Sequence, residues 1–197
     1  MTLEAQLAAG ARLVESLAPG AADEQRHAAV IETARTLFPC DAAALLRLEG
    51  DTLRPLAVAG LSHDTLGRRF RLADHPRLLA FMERRAPSHL AADCELPDPY
   101  DGLIEGHTGQ LEVHDCLGCP LYVADHPWGL LTLDALRART FTASTLAALA
   151  AFGRLAAGVL AAGEHMRALA AQAEREHELA RVLAHAPAPR PRELLGH

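Results

Sequence analysis

Lysine is missing from this sequence. All 19 basic side chains are arginines, and they face 25 aspartates and glutamates, for a net charge of −6. Nowhere do the arginines gather into the basic face with which a chain binds nucleic acid by itself. No uninterrupted apolar run reaches the length that spans a bilayer, and no charged segment followed by an apolar one opens the chain. The expectation is a cytoplasmic protein that touches neither membrane nor nucleic acid directly. Cysteine is scarce: Cys40, Cys94, Cys116 and Cys119. In a cytosolic chain such residues serve as thiols or ligands more readily than as disulfides. Cys116-x-x-Cys119 has His114 just ahead of it, but the second such pair that completes a structural zinc site is missing. Internal repeats are absent too.

What is present is a globular composition. Half of the 197 residues are hydrophobic, enough for one compact domain with a sizeable core. Leu3, Leu7, Val14 and Leu17 share one face of a helix predicted over 2–18, ended by Pro19-Gly20. A second helix is predicted over 22–38, with Val30, Ala34, Leu37 and Phe38 inward. "AALLRLEGDTLRPLAVAG" then reads as two strands around Glu49-Gly50-Asp51. "HPRLLAFMERRA" starts a short helix with Pro76 in its first turn. "CLGCPLYVA" and "WGLLTLDAL" read as a hairpin around Asp125-His126-Pro127.

From residue 142 the chain is helical for about forty residues, with Phe152, Leu155, Val159, Ala162, Met166, Leu169, Ala173, Ala180 and Leu183 spaced alternately by three and four, interrupted by Glu176. That stripe fits a long helix lying on its own domain, or a parallel homodimer through the helix. It outlasts a small domain, which favours the dimer. "PAPRPR" after Ala186 reads as a linker. The expected division is a sensor core over 1–141, a signalling and dimerisation helix over 142–185, and a linker over 186–197. The element order predicts an α+β fold, an antiparallel sheet flanked by helices.

Two features carry chemistry. A hairpin turn centred on Asp125 sets Cys116 opposite Asp134, so a thiol and a carboxylate can meet. Asp134 ends the apolar run "GLLTLD", where a carboxylate either caps the next turn or is buried and needs a partner. The other feature is "ELPDPYDGLI", in which Pro97 and Pro99 stiffen a loop carrying Asp98 and Asp101. Those aspartates suit turn capping, or a ligand-bearing loop of fixed geometry. Carboxylates together with one thiolate suit ferrous iron better than magnesium, calcium or zinc.

"CDAAALLRLEGDTLRPLAVAGLSHDTLGRRFRLADHPRL", "ELPDPYDGL", "VHDCLGCPLYV" and "WGLLTLDAL" resemble the amino-terminal GAF (PAS-like) sensor domains of the NorR family of nitric-oxide-responsive bacterial enhancer-binding proteins. The resemblance implies a GAF fold with long terminal helices. It implies a mononuclear non-haem Fe(II), nitric oxide as ligand, and relief of repression of an AAA+ ATPase domain of the same regulator. Its proposed iron ligands fall on Arg77, Asp98, Asp101, Cys116 and Asp134; of the two loop aspartates, Asp101 is the first choice. A protonated guanidinium has no lone pair, so Arg77 is expected mainly to clamp an aspartate. Tyr100 beside the ligands is a candidate gate, and His114 a candidate for orienting a ligand. Neither a phosphate-binding G-x-x-x-x-G-K nor a helix-turn-helix occurs in the chain, and "RELLGH" resembles the start of an AAA+ domain. A sensor cut from a longer regulator is expected. Two other functions stay open: a thiol enzyme of the free methionine sulfoxide reductase type, with Cys94 and Cys116 as its pair, and a GAF module that only dimerises or binds a small organic ligand.

Overall fold

A computed structural model of the chain describes residues 3–107 and 115–185. Helices α1 (Leu3–Glu15) and α2 (Asp23–Leu37) come first, then strands β1 (Ala42–Glu49) and β2 (Thr52–Ala59). A short strand β3 (Phe70–Arg71), helix α3 (Pro76–Glu83) and strand β4 (Ser88–Leu90) follow. Strands β5 (Asp115–Val123) and β6 (His126–Ala135) lead into the long helix α4 (Ala143–Ala184). Among the described residues the sheet has six strands in the order β3-β2-β1-β6-β5-β4, all paired antiparallel. The two expected hairpins form its centre. The short edge strands β3 and β4 went unpredicted because two or three residues carry no periodicity.

Both faces of the sheet are covered, so its central strands are apolar throughout instead of alternating with polar residues. One core holds Leu45, Leu117, Cys119, Leu131 and Leu133 against Val30 and Ala34 of α2 and Leu149, Phe152 and Ala156 of α4. The other holds Ala44, Leu46, Cys116 and Leu130 against Leu78 and Phe81 of α3, with Tyr100, Leu103 and Ile104. Cys116 and Leu117 therefore face opposite layers, as strand alternation requires.

One expectation needs correction and two need qualification. Leu7 and Val14 of α1 point outward, 66% and 70% exposed, while Ala9 and Leu13 are buried. Small Ala9 lets α1 approach α2 closely enough for Thr33 Oγ1 to donate to its carbonyl at 3.1 Å. The stripe on α4 is partly spent at home, since Phe152 and Val159 are buried in the domain's own core. And α4 is long and apolar enough to cross a membrane by length and composition alone, with 44% of that apolar window buried within the structure. Residues up to Gly163 form one compact unit and those from Glu164 another, so the first turns of α4 belong with the sheet. A reciprocal Thr142–Thr145 cap starts α4, with N···Oγ1 distances of 3.2 and 3.3 Å.

Candidate metal centre

Cys116 and Asp134 are directly paired across the β5–β6 hairpin, as the sequence predicts. The route differs from the expected one. The turn is centred between Ala124 and Asp125, both at positive φ (46° and 64°) as a two-residue type I′ turn requires. At the tip Val123 pairs with His126 and Tyr122 with Pro127. Trp128 is then an extra residue in β6, and beyond this bulge Leu121 pairs with Gly129. Without the bulge Cys116 would face Leu133, and Asp134 would turn to the other layer.

α3 supplies the next residue. Pro76 at its first position suits a helix start, and Arg77, Leu78, Phe81 and Met82 form its buried face. A Cβ on Gly118 would overlap the Phe81 ring, so that glycine allows α3 to lie close to β5. Arg77 stands one turn before Phe81, and Cys116 two residues before Gly118 on the same face. The close approach brings the guanidinium onto the thiol: Nη1 donates to Cys116 Sγ at 3.2 Å and to Asp98 Oδ2 at 2.9 Å. Nε and Nη2 donate to the Leu96 carbonyl at 3.1 and 2.6 Å, and Nη2 reaches the Cys94 carbonyl at 3.4 Å. Arg77 thus clamps the acidic loop by its backbone as well as by a carboxylate.

Successive turns built on Asp98 and Tyr100 form that loop. The Tyr100 N–H donates to Asp98 Oδ1 at 2.8 Å, an Asx turn, and the Leu103 N–H to the Tyr100 carbonyl at 2.8 Å across Gly102 (φ 73°). Tyr100 is buried, with its hydroxyl 3.0 Å from Thr132 Oγ1 on β6. It anchors the loop on the sheet. The far end is tied by the bridge between Ile104 and Leu61. These turns send Asp98 inward, its side chain only 2% exposed, and leave Asp101 partly exposed. Of the two loop aspartates it is thus Asp98, not Asp101, that lies beside Cys116 in this structure. Among the described residues the group close enough to share an ion is Asp98, Cys116 and Asp134, with ligand atoms all within 4.8 Å of one another. His114 lies outside the described residues.

The donor set fits ferrous iron. Donors on one first-row ion stand about 3–4.5 Å apart, and two carboxylates with one thiol are a mixed hard and soft set with room for further ligands. Burial, followed by the charges of Asp134 and Asp98, pushes the Cys116 thiol far up, and only Arg77 pulls it down. Burial alone would lower the Arg77 pKa, but Cys116 and Asp98 together raise it. The pocket thus favours positive charge, and a bound dication would take the thiol as thiolate. The other cysteines are not in the cluster. Burial raises Cys119 to about 12, and it packs on Gly153 of α4 in the opposite core. Cys40 is also raised to about 12, by burial and then by the charge of Asp134.

Sequence reasoning passed over Gly118 and buried Asp115. A small residue inside an apolar strand was the available signal for the first, and a carboxylate opening that strand for the second.

The GAF domain profile matches residues 24–160. The nitric oxide reductase transcription regulator NorR1 of Cupriavidus necator is 56% identical over 116 residues, 58% of this chain and 23% of that protein. The anaerobic nitric oxide reductase transcription regulator NorR of Serratia proteamaculans is 45% identical over 160 residues, 81% of this chain and 31% of that protein. The chain thus spans about a quarter to a third of the length of these relatives. The GAF domain of a phosphoenolpyruvate-protein phosphotransferase from Coxiella burnetii superposes with a TM-score of 0.64 at 22% identity, over 87% of this chain and 99% of that one, a likeness of fold alone. With the matched residues spanning the whole six-stranded sheet and most of the helices against it, the chain belongs to the GAF domain family.

Proposed function

We propose that this domain is the nitric oxide sensor of a transcription regulator and holds one non-haem Fe(II) through Asp98, Cys116 and Asp134. The observation that carries the reading is the cluster itself: three buried donors from three segments, within 4.8 Å of one another and under one guanidinium. Buried carboxylates are expensive unless paired or bound to a metal, so a sealed O/S/O group favours a cation. When bound, the iron would supply a coordination position open to nitric oxide.

The chain's own residues perform the rest. Arg77 balances part of the negative charge and keeps the 94–98 backbone in place. Tyr100, buried beside the cluster and bonded to Thr132, holds the loop against the sheet. Asp101, partly exposed on the same loop, joins the ligands when the 95–104 loop moves. The attached partner is an AAA+ ATPase domain whose repression is relieved, in the cytoplasm, when the loop and the hairpin end shift. Dimerisation runs through exposed apolar residues of α4, Leu169 and Leu183 among them.

Anaerobic addition of nitric oxide to iron-loaded protein should give a half-integer-spin EPR signal; a silent spectrum with iron bound would end the reading. A thiol enzyme fits less well, because the Cys116 thiol is buried and its pKa is pushed up, the reverse of an activated nucleophile.

A further inference from the structure

Among the described residues, one buried carboxylate lies outside the metal cluster. Asp115 opens β5 immediately before Cys116 and is 1% exposed. Strand alternation turns it away from Cys116, toward the layer that contains α4. Its Oδ1 is 2.6 Å from His89 Nε2, and its Oδ2 accepts the backbone N–H of Phe141 at 3.0 Å. Phe141 is two residues before the first residue of α4, and its ring meets the His89 ring edge-on at 6.2 Å.

The neighbouring strand repeats the arrangement. Asp134 leads to Leu136, whose N–H donates to Asp41 Oδ2 at 2.8 Å, while the Asp41 N–H donates to the Asp134 carbonyl at 2.8 Å. The connector from β6 to α4 is therefore clasped at both ends by carboxylates, Asp41 at Leu136 and Asp115 at Phe141. Each clasp is joined to the backbone at or next to a metal-site residue. Asp115 is not needed to cap the helix, because Thr142 and Thr145 already do so. A buried carboxylate at a strand end costs stability unless it is bonded, and both bonds of this one go to segments outside its own strand.

We infer that Asp115 is a positioning residue that carries a displacement of Cys116 to the first turn of α4. The inference rests on the proposed iron site, and it adds the path by which that site would reach the output helix through contiguous bonded groups.

The test uses the whole 197-residue chain. It is loaded anaerobically with ferrous ion, then given nitric oxide, and amide exchange is followed at Phe141 and over 143–150. In the wild type, Phe141 exchange should change by about tenfold or more on adding the gas. Asp115→Ala should keep the wild-type iron content and EPR signal yet show no more than about a third of the wild-type change over 143–150. Asp115→Asn, whose carboxamide oxygen can still accept from Phe141, should retain most of the response. A wild-type Phe141 amide that ignores nitric oxide while the EPR signal appears overturns the inference, and so does a full response in Asp115→Ala. The Phe141 measurement needs no variant to fold, so it decides the matter if Asp115→Ala is unstable. Failure of the iron site looks different: the wild type itself takes up no iron and gives no signal, and the inference falls with it.

Discussion

Arg77 is bonded at once to the Asp98 carboxylate and the Cys116 thiol, two of the three clustered donors. The ion pair is almost fully buried, its side chains 4% and 2% exposed. Removing one partner leaves an uncompensated buried charge, so Arg77→Ala should destabilise the metal-free domain by about 3–5 kcal/mol. Ferrous ion should restore much of that loss, because it supplies the missing positive charge; urea unfolding with and without iron checks both. The loop aspartates should separate clearly. Asp98→Ala should weaken iron binding by more than the about 10–100-fold expected for an outer group, and Asp101→Ala by less. Iron titration of the two variants measures the difference. The thiols give a pH prediction. Cys40 and Cys119 are raised from 9.0 to about 12 by burial, so each stays protonated in the folded state where it would ionise in the unfolded one. Their contribution is complete below pH 9 and is lost as pH rises from there through about 12. Urea midpoints should therefore fall between pH 8 and pH 10.

Two small features of the elements aim the site. Gly118 lets Phe81 seat against β5, and with it the turn of α3 that carries Arg77. Gly118→Val should force Phe81 and α3 outward, costing about 1–3 kcal/mol as overpacking does, and should also reduce iron affinity. Calorimetry and iron titration together separate the two effects. The bulge at Trp128 is the second feature. It turns a hairpin centred between residues 124 and 125 into one that pairs Cys116 with Asp134. Deleting Trp128 should slip that register by one residue and turn Asp134 away from Cys116. The deletion also removes a buried ring, so stability should fall, but helical circular dichroism should persist in a protein that no longer retains iron.

On the scale of the whole molecule, exposed Leu169, Leu179, Val182 and Leu183 leave the end of α4 with apolar surface. Leu169→Arg with Leu183→Arg should shift a dimer toward monomer in sedimentation equilibrium while leaving the sheet domain folded. Much of the rest was legible in the sequence. The two hairpins, the proline-started helix before the acidic loop and the long final helix follow from alternation and punctuation over a few residues, and local rules act at that range. The motif stretches carried the family and pointed to Arg77, Asp98, Asp101, Cys116 and Asp134, with Asp101 placed ahead of Asp98. Tertiary structure alone decided which aspartate enters the cluster, which face of α1 is buried, and that Asp115 reaches Phe141. Each of those depends on how closely segments far apart in the chain can pack: Phe81 on Gly118, Tyr100 against Thr132, α1 on α2 across Ala9. A pattern with a period of two or 3.6 residues assigns a side chain to a face; which partner waits on that face is set by contacts between distant parts of the chain.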